Sequence, residues 1–262
     1  MRRNLRLASY NIQKAVGTDF RRDPGRIIDV INRLGADVVA LQEVDRRLGE
    51  RPSVLCRRMI ETETDFQIAP LARSEVSLGW HGNAMLVRRE HTILASGHIE
   101  LPGLEPRGAV RVDIASPAGP LALVGAHLAL MRHFRRLQLR TIHGHLDDAP
   151  ARSVVMGDFN EWSKDRGLEP LAGDYRVISP GHSFHAARPV AGLDRFALGR
   201  DVALRDAGVE QGALASRSSD HLPVWADVEP APAPQGQPVL PTYESSVSLV
   251  MDGQDRRRGG GR

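Results

Sequence analysis

Four hydrophobic runs in this chain stop abruptly at a polar or ionisable residue: ASYN at Asn11, VVALQE at Glu43, LALVGAH at His127, and VVMGDFN at Asp158 and Asn160. A buried strand gains nothing from a carboxylate or imidazole at its end. Such ends become candidates for chemistry when neighbouring strands carry them to one edge. The segment SSDHLPVWADV has the reverse order, with Ser219, Asp220 and His221 ahead of its apolar stretch. An antiparallel last strand would begin where the others stop, so this group joins the set. Carboxylates and amide carbonyls are hard oxygen ligands suited to Mg²⁺ or Mn²⁺, and the single cysteine, Cys56, excludes a thiolate zinc site. His143 and His145 are two apart on an expected helix and face different ways. His182 and His185 lie in an expected loop without partner cysteines, so no zinc-hydrolase set is read here.

These ends need elements to hold them. Leu5 to Ile12 alternates as a strand, Pro24 to Leu34 places Ile27, Ile28, Ile31 and Leu34 on one helical face before Gly35, and ADVVALQEV is a buried strand. Val54 to Glu61 reads as a short helix. A meander of strands is expected over Asn83 to Arg88, His91 to Leu101, Gly108 to Ala115 and Pro120 to Leu128. Phe134 to Leu146 reads as a helix and Ser153 to Phe159 as a strand. Shorter strands are expected near Leu193 to Leu198, Val202 to Asp206 and Leu222 to Val228. In GDFN, Gly157 is expected to supply a tight turn and Phe159 to alternate towards the core. The mix predicts two packed sheets flanked by helices, with no sequence repeats.

At 262 residues and 41% hydrophobic content the chain can build one sizeable core. One domain over residues 1–229 is expected, followed by a disordered Pro/Gly/Arg-rich tail over 230–262. The formal charge is +3, of which about +2 belongs to the body, so charge alone marks no nucleic-acid footprint. MRRNLRLASYN passes straight into strand-like alternation without a signal-peptide core, and no run matches a membrane span. A cytoplasmic monomer is the expectation.

The ordered set YNIQ, LQEVD, GNAML, GAHL, GDFN, LDRF and SDHLP resembles the endonuclease/exonuclease/phosphatase superfamily of DNase I-like proteins, over about residues 5 to 229. The resemblance implies a four-layer α/β sandwich of two packed mixed sheets, and Mg²⁺- or Mn²⁺-dependent phosphoester hydrolysis. It implies Glu43 as the principal metal ligand, with Asn11 and Asp220 beside it. Asp158 would orient or deprotonate water, Asn160 would donate to a phosphate oxygen, and His127 would bind phosphate or assist the leaving group. Asp194 would orient His221, and His221 matches both a general base and a cation that stabilises the transition state. Asn83 and Arg107 would bind substrate, and Lys14 lies within reach of a substrate phosphate.

The substrate expected is a phosphodiester of small-molecule, lipid head-group or nucleic-acid type. The alternatives are a DNA or RNA nuclease and a non-catalytic phosphate-binding module. Specificity is expected in the loops Gly17 to Pro24, Arg46 to Pro52, Leu71 to Gly82 and Glu161 to Gly173, where Trp80, His81 and Trp162 are suited to stacking on a base or packing on a head group, with ordinary core packing the alternative for each Trp. The basic tail is expected to be a solvated end without a role of its own, the alternative being an electrostatic tether to nucleic acid or to a membrane surface in transient contact.

Overall fold

The computed structural model describes residues 4–46, 49–163 and 166–233. The chain first lays down β1 (Leu5–Asn11), β2 (Val38–Gln42), β3 (Phe66–Ile68) and β4 (Ala84–Arg88). It then forms β5 (Ile93–Glu100), β6 (Gly108–Ser116), β7 (Gly119–His127), β8 (Ser153–Asp158), β9 (Tyr175–Ile178) and β10 (Asp194–Gly199). Finally β11 (Val202–Val209) and β12 (Val224–Pro230) return to the first group. The result is two six-stranded mixed sheets, ordered β11-β12-β1-β2-β4-β3 and β5-β6-β7-β8-β10-β9.

The two sheets repeat one plan that no sequence similarity announces. Each has one parallel pair at its centre, β1 with β2 and β7 with β8, flanked by antiparallel neighbours. A parallel pair needs a crossover, supplied by α1 (Pro24–Arg33) in one sheet and α3 (Arg132–Gly144) in the other. The consequence for function is direct: both strands of a parallel pair end at the same edge.

Alternation along β1 divides its side chains between two cores. Leu5 and Leu7 face the other sheet, where they join Val38, Ala40, Met85, Val112, Leu123, Val154 and Met156. Ala8 and Tyr10 point outwards and are covered by Ile27, Ile28 and Ile31 of α1 and by Ile60 of α2 (Arg57–Glu63). On the far side Val124, Ala126 and Val155 pack under Leu139 and Ile142 of α3. Central strands are thus covered on both faces, which explains their continuous apolar runs. Asp23 caps α1 by accepting from the Arg26 backbone N–H at 3.2 Å, and Pro24 occupies the first turn.

Several expectations shift. The helix expected from Val54 starts after Cys56, and α3 begins and ends two residues before the predicted span. Two short edge strands, β3 and β9, and the helix α4 (Ala213–Ser218) have no counterpart in the sequence reading. At the C-terminal boundary β12 includes Pro230, and the Ala231 and Ala233 N–H groups donate to Asp201 O and Ala118 O, so packed chain continues past residue 229. The tail from 234 lies outside the described residues.

Gly157 makes no turn. It is an interior residue of β8 paired with Ala126, and a Cβ built on it would lie 1.9 Å from Ala126 O. Its φ of 152° adds a second obstacle to any side chain. Gly157→Ala should therefore destabilise the fold by about 3 kcal/mol or more, read as a lower denaturant midpoint with an unchanged slope. A variant as stable as the parent would show that β7 and β8 do not approach as described.

Candidate active site

The register places the polar strand ends on one edge of both sheets. Asn11 pairs with Gln42, so Glu43 emerges beside it. In the other sheet His127 pairs with Asp158, and Asp158 with Asp194 across the antiparallel β8 and β10. β12 begins opposite Ser9, which brings Asp220 and His221 to the same rim. The two sheets are joined here by Asn11 Nδ2 donating to Asp158 Oδ2 at 3.1 Å.

Asp158 is the centre of the arrangement. Its Oδ2 lies 3.4 Å from His127 Nε2 and 3.7 Å from His221 Nε2, and its Oδ1 accepts from the Asn160 N–H at 2.9 Å. On the other side of the imidazole, His221 Nδ1 is 2.8 Å from Asp194 Oδ2, which also accepts from Ser183 Oγ at 2.5 Å. Ser219 Oγ donates to Asn11 O at 2.7 Å, and Asp220 N–H donates to Gln13 Oε1, fixing the loop that carries His221. Ser183 was not legible in the sequence, since its loop matches no motif quoted above.

Burial raises the Asp158 carboxyl to about 6, against the lowering pull of His221. For His221 burial favours the neutral ring, but Asp194, Asp158 and Asp220 together prevail and raise it to about 10. At neutral pH the three acids around the ring keep His221 an imidazolium. A histidine raised on folding contributes stability that is complete below 6.5 and is lost as pH climbs through about 10. The metal-free protein should therefore lose about 3 kcal/mol between roughly pH 7 and pH 9, and His221→Gln should flatten that decline. Thermal unfolding across this range checks it; parallel slopes for the two proteins would rule out the charged ring.

Asn11, bonded to Asp158, leads from this centre to Glu43 at the end of the neighbouring strand. Glu43, at φ 58°, turns out of the strand direction and forms an ion pair with Lys14, itself at φ 56°. Gln13, His81 and Asn160 also adopt positive φ, between 45° and 50°. Left-handed backbone costs non-glycine residues about 1 kcal/mol or more each, and its concentration beside one cleft marks segments held by their surroundings. The donor set fits a hard divalent cation: Glu43, Asp220 and the Asn11 amide are oxygen donors. Burial and then the Glu43 charge push the Asp220 carboxyl up, a repulsion that a cation would relieve. Asp158, Asp194 and His221 form a second close cluster, whose 2.8 Å imidazole-to-carboxylate spacing is that of a hydrogen bond.

A cavity of about 170 Å³ extends the cleft past Lys14, Glu43 and His127 to Arg51, His81 and Arg107. Arg107 donates from Nε and Nη2 to one oxygen of Glu105, Oε2, at 3.0 and 2.7 Å. Asn83 is buried and donates to Gly108 O at 2.8 Å, linking the strands of the two sheets below the cavity. Asn160 donates its amide to Leu128 O at 2.9 Å. Trp80 does not offer a stacking face, because it is buried in the inter-sheet core against the Gly108 backbone. Trp162 is 62% exposed, 6.0 Å from the Phe184 ring, which in turn lies 5.0 Å from His221.

The sandwich and this edge define a DNase I-like protein. The profile of the Endonuclease/Exonuclease/phosphatase family matches residues 8–221, and the chain belongs to that family. No curated protein sequence matches it. Among solved structures, an endonuclease/exonuclease/phosphatase from Beutenbergia cavernae is 22% identical at TM-score 0.68, covering 88% of this chain and 72% of that one. Danio rerio TDP2 complexed with a single-strand DNA product is 17% identical at TM-score 0.65, covering 86% and 98%. The Bacteroides thetaiotaomicron mannosyl-6-phosphatase Bt3783 is 15% identical at TM-score 0.64, covering 86% and 99%. At these identities the likeness is one of fold.

Proposed function

We propose that the chain is a divalent-cation-dependent phosphoesterase that hydrolyses a phosphodiester. The observation that carries this reading is the position of Asp158, a buried carboxylate between two imidazoles and hydrogen-bonded across the sheets to the strand end that carries Asn11. Phosphoester substrates are anionic, so hydrolysis needs charge neutralisation, an activated water and a stabilised leaving oxygen. Glu43, Asn11 and Asp220 would hold Mg²⁺ or Mn²⁺, which supplies charge neutralisation at a phosphoryl oxygen when bound.

The chain's own residues perform the rest. Asp158, poised near 6, accepts the proton of the attacking water at Oδ2. His221, kept protonated by Asp194, donates from Nε2 towards the phosphoryl group, while Ser183 locks Asp194 in place. His127 and Asn160 flank the same carboxylate and would serve the leaving oxygen and a phosphoryl oxygen. Asn83 supports the cavity, and Arg107 offers its guanidinium to an anionic substrate group.

The fold is shared with a protein bound to a DNA product and with a sugar phosphatase, so it supports phosphoester chemistry without choosing a substrate. Hydrolysis of bis-p-nitrophenyl phosphate should require Mg²⁺ or Mn²⁺ and stop with EDTA. Turnover indifferent to the chelator would end this reading.

A further inference from the structure

The exposed apolar side chains of this protein are segregated. Among the described residues, every large hydrophobic side chain that is exposed lies in a loop at the edge carrying the candidate active site. Phe20, 91% exposed, is in the loop after β1; Leu130 and Met131 follow β7, and Trp162 follows β8. Leu104, 84% exposed, and Val190 precede β6 and β10, whose first residues lie beside His127 and Asp158. Val76 belongs to the β3–β4 loop and accepts from Ser53 N–H in the loop after β2. The opposite edge, with its loops at 34–37, 89–92, 117–118, 145–152 and 200–201, has none. Single exposed hydrophobics are ordinary; their confinement to one rim is not.

The chemistry of the rim selects its partner. Five of the seven, Val76, Leu104, Leu130, Met131 and Val190, are aliphatic tips without a π-face, so only Phe20 and Trp162 on this rim could stack on a nucleic-acid base. The apolar tips stand on separate loops instead of forming one flat patch, which disfavours a second copy of this chain. On the connections that carry these side chains exposed arginines outnumber exposed acids, with Arg21, Arg22, Arg73, Arg166 and Arg188 against Asp23, Glu75 and Glu169. Apolar tips interleaved with arginine match a surface that is anionic at its boundary and hydrocarbon beneath.

We propose that this rim seats the mouth of the site on an anionic lipid surface, where an amphiphilic phosphodiester is the substrate. The proposal rests on the phosphoesterase reading for its chemistry: water adds to phosphorus, the bond to the leaving alcohol's oxygen breaks, and that oxygen takes a proton. The docking itself stands on the rim alone. The segregation also gives the loops a common purpose that catalysis by the strand ends does not require.

The test uses the full chain and a Phe20→Ser, Leu104→Ser, Val190→Ser variant, all at exposed loop positions outside the proton-transfer groups. Cosedimentation with phosphatidylglycerol-containing vesicles should show binding by the parent and about tenfold or more weaker binding by the variant. Hydrolysis of soluble bis-p-nitrophenyl phosphate should be equal in both, while hydrolysis of vesicle-borne phospholipid falls with binding. A parent that ignores the vesicles, or a variant that binds them as well as the parent, overturns the docking surface. So does a parent that prefers single-stranded DNA to the vesicles, or one that forms a dimer the variant cannot. If the phosphoesterase reading alone is wrong, the soluble substrate stays intact while variant-sensitive vesicle binding persists.

Discussion

Asp158→Asn is expected to lower kcat on a phosphodiester roughly a thousandfold and to lower the thermal midpoint as well. The amide keeps the shape of the carboxylate, and its oxygen can still accept the Asn160 N–H, which Asp158 takes at 2.9 Å. What disappears is a proton acceptor at Oδ2, the atom that faces Asn11, His127 and His221. The stability half follows from the donors around that atom: the new amide nitrogen takes the place of Oδ2 and faces the Asn11 amide and the His221 ring, which loses one of its counter-charges. Steady-state kinetics with thermal unfolding on the same preparation reads both halves. A loss of less than about tenfold in kcat would remove Asp158 as the proton acceptor.

The parts of this site visible in the sequence are those tied to central strands. Asn11, Glu43, His127 and Asp158 each close a run buried on both faces, so a polar residue there violates the apolar pattern and stands out. His221 was visible for the opposite reason, as a polar group opening the last alternating strand. The rest lacked such a background. β3 and β9 have three and four residues and lie at sheet edges, too short for a period to show. Ser183 acts from a loop, where its bond to Asp194 depends on a partner 11 residues away. Gly157 misled because a glycine before Asp is a common turn signal, whereas here it admits the backbone of β7.

Glu161 shows how far the loop after GDFN is from a free substrate arm. Its carboxylate accepts from Arg132 and Arg135 at 2.7 to 3.1 Å, and Arg195 holds its backbone carbonyl at 2.7 Å. Burial opposes the charge, but the two arginines keep the carboxyl down at about 2. The anchor fixes the backbone between Asn160, at the cleft, and Trp162, on the rim. A rigid base with an exposed tip is the arrangement needed when the rim and the strand ends serve one substrate.

Glu43→Gln should weaken the apparent affinity for Mg²⁺ or Mn²⁺ about a hundredfold, with part of the lost activity recovered at saturating metal. Glu43 is half-buried at the head of the loop after β2, with Lys14 as its ion-pair partner. The pairing sets a positive charge beside this carboxylate, and a divalent cation must compete with it for the same oxygens. Its charge also helps to push up the Asp220 carboxyl, after the larger effect of burial, so the two acids share one electrostatic field. Neutralising Glu43 removes a ligand charge and this repulsion together. Asp220 becomes easier to ionise while the site as a whole attracts a cation less. Metal binding should therefore be read without turnover, from the rise in thermal midpoint with added Mn²⁺, which reports binding to the folded state alone. The parent should shift steeply and Glu43→Gln only at far higher Mn²⁺. Superimposable titrations would show that the cation, if one binds, is held elsewhere.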